Sequence, residues 1–258
     1  MTFDNIELNK SLVWITLINY GYVDYTKNFL LSVERAKINL QLVIYCIDKE
    51  TYDEFKTNKN CICLMADFLK YIIPSDFKVW LNIDYKRICF SKLDVIMHTL
   101  KETLKHDVKA VGYIDTDIVL FSDPTTVVTD AMKVFKNINI FTQCDEYGQT
   151  CSNSINCRMF CAGILIFRNI PEIYNLLEYK DEDIYKYDSD QHFLVPKLRA
   201  LKIDYFTINR KKFINGAYYP NIKSDKIKFS DDACLIHFNY MIGHEKKTAM
   251  KLQGLWYL

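Results

Sequence analysis

Leu12-Val13-Trp14-Ile15-Thr16-Leu17-Ile18 is a run too apolar to leave either side facing water, and it reads as a buried strand. Phe29, Leu30, Val33 and Ala36 then recur at helical spacing between Tyr25 and Lys37, and residues 40–47 are again apolar. Strand, helix, strand at this length is a βαβ unit, which requires parallel pairing and a right-handed crossover. The chain is therefore read as α/β. A further short strand is expected at Ile62-Cys63-Leu64-Met65. Over residues 85–105, Ile88, Leu93, Ile96, Met97, Leu100 and Leu104 share one face of a long helix. That helix delivers the chain into Val111-Gly112-Tyr113-Ile114, another apolar strand.

The strand ends on Asp115-Thr116-Asp117, two carboxylates in an otherwise apolar run that continues Ile118-Val119-Leu120-Phe121. Residues at i and i+2 of a strand project to the same side, so both carboxylates can reach one divalent cation. Oxygen ligands suit Mg²⁺ or Mn²⁺, and a cation held by few carboxylates keeps positions open for substrate diphosphate. The same residues also fit a plain turn leading to the helix start at Ser122-Asp123-Pro124. In an open parallel sheet, ligands collect at the carboxyl ends of strands, where both Asn19-Tyr20-Gly21 and Asp115/Asp117 fall.

Downstream, the pattern predicts a helix over 124–135, a strand over 138–142, an irregular polar loop over 145–157 and a strand over 161–167. A helix follows from Pro171 to about Tyr179, and another from the Asp188-Ser189-Asp190-Gln191 cap to about Leu201. Short strands near 203–208 and 234–239 and a closing helix from Glu245 to Leu252 complete a mixed second half.

The 258 residues carry 33 Lys plus Arg against 32 Asp plus Glu, a net charge of +1 that excludes a field-driven partnership with nucleic acid. With 7 glycines, 5 prolines and no repeat or linker, one domain over 1–258 is expected. Residues 12–18 are too short to span a bilayer and lack a basic segment before them, so no signal peptide and no membrane span are expected. Nine cysteines, mostly in apolar strand-like segments, favour reduced thiols and a cytoplasmic compartment. Cys144, Cys151, Cys157 and Cys161 cluster without the C-x₂-C spacing of structural zinc sites.

Gly112 to Pro124, Ala162-Gly163-Ile164-Leu165, Asp188-Ser189-Asp190-Gln191, and His237-Phe238-Asn239 with Gly243, Lys246 and Gly254-Leu255-Trp256 together resemble the nucleotide-diphospho-sugar transferases. The blocks match in order over about residues 12–256. The resemblance implies a GT-A fold, with a Rossmann-like mixed sheet and helices on both faces. It also implies a nucleotide and donor half over about 12–120, and an acceptor half over about 121–258 with a closing C-terminal loop.

By the same resemblance, Asp115 and Asp117 hold Mn²⁺ or Mg²⁺ against the donor diphosphate, with Thr116 between them. His237 completes the metal shell; without the family it reads as a core histidine. Gly243 and Lys246 belong to a basic loop closing over the diphosphate, and spacing does not choose between Lys246 and Lys247. Asn19, Tyr20 and Gly21 match a nucleotide-contacting turn. Asp48 is a further nucleotide contact or the cap of the next helix. Arg87 and Lys92 match basic positions facing donor phosphate or sugar, or else form one exposed helix face. Asp190 and Gln191 match the pair near donor sugar and acceptor, as orienting groups, base or transition-state stabilisers.

The implied activity is metal-dependent transfer of a sugar from a nucleoside diphosphate donor, UDP-linked, to a hydroxyl on a glycan, protein or small molecule, with retention favoured. A glycogenin-like transferase is an alternative, but six positions separate His237 from Gly243 and no proline follows Lys246. A non-catalytic nucleotide-sugar-binding scaffold is another. Cys161 departs from the small polar residue usual at its position, which bears on acceptor contacts.

Overall fold

The computed structural model describes residues 3, 6–78, 80–147 and 153–258. Its N-terminal half alternates strand and helix: β1 (Val13–Ile18), α1 (Val23–Arg35), β2 (Leu42–Cys46), α2 (Lys49–Phe55), β3 (Ile62–Met65), α3 (Ile83–Leu104) and β4 (Ala110–Ile114). There follow β5 (Ile118–Leu120), α4 (Pro124–Val134), β6 (Ile140–Cys144), β7 (Ser154–Ile155), β8 (Phe160–Arg168), α5 (Tyr174–Leu177), α6 (Asp181–Lys186) and α7 (Asp190–Leu201). The chain closes through β9 (Tyr205–Ile208), β10 (Phe213–Asn215), β11 (Leu235–His237) and α8 (His244–Leu252).

One sheet runs β3-β2-β1-β4-β8-β6-β9-β7, and a smaller one runs β10-β11-β5. The pairs β1/β2, β1/β4 and β2/β3 are parallel, as the βαβ reading requires, whereas β8 runs antiparallel to both β4 and β6. The sheet is mixed from β4 onward. Strand alternation sorts the core into two layers. Val13, Ile15, Leu17, Val43, Tyr45, Val111 and Tyr113 face Phe90 and Leu93 of α3 and Phe193 of α7. Trp14, Ile18, Leu42, Ile44, Ala110 and Ile114 face Phe29 and Val33 of α1 and Val128 of α4. Helices thus cover both faces, and continuous apolar strands follow from burial on both sides.

Three expectations change. The helix expected from Pro171 to Tyr179 is a 3₁₀ turn at Pro171–Ile173 leading into the four-residue α5. Residues 213–215, where no strand was expected, pair with β11 as β10. Cys157 is disulfide-bonded, which corrects the expectation of reduced thiols throughout; Cys46, Cys61, Cys63, Cys89, Cys144, Cys161 and Cys234 are free. Cys151 and the centre of the loop expected at 145–157 lie outside the described residues. Among the described residues, no helix is long and apolar enough to cross a membrane.

Candidate functional site

Asp115, Thr116 and Asp117 form the turn between β4 and β5, at the carboxyl end of the central parallel strands. The turn is tied down on both sides. Asp115 N–H donates to the Gly163 carbonyl at 2.8 Å, and Phe238 N–H donates to the Asp117 carbonyl at 3.1 Å. Because β11 runs antiparallel to β5 with His237 opposite Ile118, the imidazole stands directly beside the carboxylates. Its Nε2 lies 3.1 Å from Asp117 Oδ1 and 3.9 Å from Asp115 Oδ2.

These three side chains can bring one ligand atom each within 4.8 Å of one another, and they are the group that could hold a metal ion among the described residues. Two local features fit them to a hard divalent cation. Buried Asp117 Oδ1 has no hydrogen-bond partner while His237 Nε2 carries no proton, an arrangement that is unfavourable unless a ligand satisfies it. Gly163 leaves the space the imidazole needs, since a Cβ there would lie 2.2 Å from His237 Cε1 and 2.8 Å from Asp115 Oδ2. Two carboxylate oxygens and one imidazole nitrogen suit Mn²⁺ or Mg²⁺.

Two ammonium groups already balance the carboxylates. Lys92, on the inner side of α3, sits 3.0 Å from Asp115 Oδ1 and 4.0 Å from Asp190 Oδ2, beside the face of Tyr113. Burial would lower its ammonium value, but Asp115 and Asp190 hold it well above the usual lysine range. Lys246, in the first turn of α8, bonds Asp117 Oδ2 directly. Burial pushes the Asp117 carboxyl up, yet Lys246 and His237 outweigh burial and hold it well below the usual carboxylate range. Lys247 turns away to Asp24, at 3.1 Å, and over the Trp256 ring. Lys246 is thus the lysine that faces the site. Gly243 makes this possible: it opens α8 at φ +54°, a conformation open to glycine, and its carbonyl accepts from Tyr25 OH at 2.9 Å.

Asp190 opens α7 behind the Ser189 cap and is 2% exposed, and its Oδ2 is buried without a hydrogen bond. Burial pushes its carboxyl up to about 6, with Lys92 pulling the other way. Gln191 is fixed at both ends of its amide, accepting from Ala162 N–H at 3.1 Å and donating to Asp145 Oδ2 at 3.0 Å.

All these groups open onto one cavity of about 430 Å³, which Asn19, Thr116, Lys92, Gly243 and Lys246 also line. Asn19 is buried there, donating to the carbonyls of Pro74 and Asp76 at 2.8 and 3.0 Å. The other residues singled out from sequence are not among its walls. Tyr20 is 51% exposed, and its N–H donates to Asp48. Asp48 caps α2 through Thr51 N–H. Gly21 packs so closely on the 75–77 segment that a Cβ would lie 2.3 Å from Phe77 N. Arg87 pairs with Asp84 at 2.9 Å, near the ring of Tyr71.

Sequence reasoning passed over Asp145, at the end of β6. It accepts from Asn215 and Asn239 on Oδ1, at 3.1 and 2.9 Å, and from Gln191 and Tyr240 on Oδ2, at 3.0 Å each. Its signal was an acid ending an apolar strand, the same pattern that marked Asp115.

No curated protein matches the chain in sequence. Several solved structures match its fold. Mouse xyloside xylosyltransferase 1 aligns at TM-score 0.58 and 10% identity, over 89% of this chain and 98% of that one. The galactosyltransferase LgtC, solved with donor and acceptor sugar analogs, aligns at 0.54 and 13%, over 94% of each chain. A glycosyltransferase involved in glycosylation of the major capsid of PBCV-1 aligns at 0.53 and 10%, over 94% and 99%. A sequence model of the nucleotide-diphospho-sugar transferases matches residues 38–250, most of the chain. The chain therefore belongs to the nucleotide-diphospho-sugar transferase family and is a glycosyltransferase of the GT-A fold.

Proposed function

We propose that the chain transfers a sugar from a nucleoside diphosphate donor, UDP-linked, to a hydroxyl acceptor, with a divalent cation, Mn²⁺ or Mg²⁺, held by Asp115, Asp117 and His237. The observation that carries this reading is the convergence of those three ligand atoms at the carboxyl end of β4, flanked by Lys92 and Lys246. When bound, the cation supplies charge neutralisation to the departing diphosphate. Lys246 is the residue free to exchange partners. In the donor complex it leaves Asp117 and donates to diphosphate oxygens, stabilising the charge that grows as the bond from anomeric carbon to phosphate oxygen breaks. Lys92 holds Asp115 and Asp190 in fixed relation. Asp190 Oδ2, buried and without a hydrogen bond, is placed to accept a donor-sugar hydroxyl. Asn19 serves the nucleotide end, and Asn239 and Tyr240 the acceptor end.

In this reading residues 12–120 form the donor half and 121–258 the acceptor half, and the acceptor is a glycan, protein or small molecule. Transfer with retention is favoured because the D-x-D with a late His and a Gly-x-x-Lys resembles the pattern of retaining enzymes. The fold neighbours include a xylosyltransferase and a galactosyltransferase, so the donor sugar is to be screened. The free cysteines among the described residues favour a reducing, cytoplasmic setting, and the Cys157 disulfide counts against it.

The test is release of UDP from a panel of UDP-sugars. Release that needs Mn²⁺ and is lost on chelation and in Asp117→Ala supports the proposal. A wild-type chain that binds UDP-sugar without any turnover supports a binding scaffold instead.

A further inference from the structure

Gln143 is a fully buried polar residue near the end of β6, and nothing in the transfer chemistry calls for it. A register shift between Thr142 and Gln143 breaks the β6/β8 ladder here, with Thr142 opposite Leu165 but Gln143 opposite Cys161. Such irregularities re-aim side chains. This one directs Gln143 toward the small sheet, where its Nε2 donates to the Phe213 and Ile214 carbonyls at 3.1 and 2.9 Å.

Two carbonyl acceptors fix the orientation of the amide. The reversed orientation would set Oε1 against two carbonyl oxygens and leave no proton between them. Oε1 must then point the other way, where it meets His237 Nδ1 at 3.1 Å. An amide oxygen only accepts, so Nδ1 carries a proton, and in the neutral ring Nε2 carries the lone pair. The other neighbour of Nδ1, Cys161 Sγ at 3.5 Å, is a weaker acceptor and does not compete with the amide oxygen. Nε2 consequently presents a lone pair toward Asp117 Oδ1 and Asp115 Oδ2, at 3.1 and 3.9 Å. In that state Nε2 and the two carboxylate oxygens form a set of lone pairs open to a divalent cation.

We propose that Gln143 is a positioning residue that locks His237 in the Nδ1–H tautomer and thereby aims the Nε2 lone pair at the divalent cation. This rests on the cation site proposed above. Partners of this kind orient metal-binding histidines generally, and their loss weakens metal affinity by about 10–100-fold.

The test begins with the wild-type, metal-free chain, so that it does not depend on a variant folding. Long-range ¹H–¹⁵N correlation on ¹⁵N-histidine-labelled protein, with the His237 signals assigned by their loss in His237→Gln, reads the tautomer directly. Read at a pH where the ring is neutral, the proposal predicts a protonated Nδ1 and an unprotonated Nε2. A neutral ring protonated at Nε2 overturns it, even if the chain binds Mn²⁺. The Nδ1–H tautomer in a chain that binds no Mn²⁺ upholds the role of Gln143 on the ring and overturns the cation site instead.

The second arm measures Mn²⁺ affinity by electron paramagnetic resonance in Gln143→Leu, which removes the acceptor. Affinity falling by about tenfold or more in a folded Gln143→Leu supports the proposal. Wild-type affinity in a folded Gln143→Leu overturns it.

Discussion

Lys246 Nζ bonds Asp117 Oδ2 across the mouth of the site, joining the first turn of α8 to the turn after β4. The two residues are far apart in sequence, and the contact puts an ammonium beside the carboxylate proposed to hold a metal. A divalent cation and Lys246 therefore compete for Asp117 until donor diphosphate offers the lysine another partner.

Lys246→Met should accordingly separate two affinities. Mn²⁺ binding without nucleotide, followed by electron paramagnetic resonance, is expected to tighten several-fold. Retention of UDP at saturating Mn²⁺, followed by calorimetry, is expected to weaken. Weakening of both would show that Lys246 supports the carboxylates rather than competing for them.

Gly163→Ala is expected to displace His237 with little effect on the fold. The added methyl would lie 2.2 Å from the imidazole and 2.8 Å from the Asp115 carboxylate. Mn²⁺ affinity should drop by at least about tenfold, the scale seen when a ligand loses its support. Unchanged affinity would mean that His237 is not a ligand.

Asp190 makes the metal-free protein sensitive to pH. Its carboxyl stands at about 6 when folded against 3.8 in an unstructured chain, so between those values the folded state binds more protons. For an acid raised in this way, stability is greatest at low pH and declines as pH climbs through the window. Relative to Asp190→Asn, wild type in chelator should lose up to about 3 kcal/mol between about pH 4 and about pH 7. Urea denaturation at the two pH values measures it, and a pH-independent difference would remove Asp190 from the account.

Asp145→Ala strips the acceptor from four donors at once. Destabilisation of about 2–4 kcal/mol is expected, because four donors lose one charged acceptor and the most buried of them, Asn215, has no water to turn to in exchange. The closing segment at Asn239 and Tyr240 should loosen with it, seen as faster amide exchange over 239–247.

Where two-sided burial shaped the sequence, the fold could be read from it. β1, β2 and β4 are apolar on both faces, and α1 and α3 keep helical spacing. The short elements could not be read. α5 is four residues long, and β10 is three residues held by its pairing with β11, a partner far along the chain. Within the site, Asp115, Asp117 and His237 were legible through motif order.

Tyr20, Gly21, Asp48 and Arg87 carry the same residue chemistry but serve a turn, a close backbone approach, a helix cap and a local ion pair. Only the third dimension separates those uses from ligand contact. Gln143 and Asp145 were invisible for the opposite reason. Their partners, Phe213, Ile214, Asn215, Asn239 and Tyr240, come from segments whose approach to β6 depends on the small sheet.

The most direct test of the donor site is thermal unfolding of the purified chain with UDP, GDP, CDP or ADP, each with and without Mn²⁺, because a ligand bound only by the folded state raises its stability. The account predicts a rise in melting temperature with UDP that requires Mn²⁺ and disappears in Asp117→Ala. The absence of a shift with any nucleotide, or an equal shift without metal and in the variant, would contradict it.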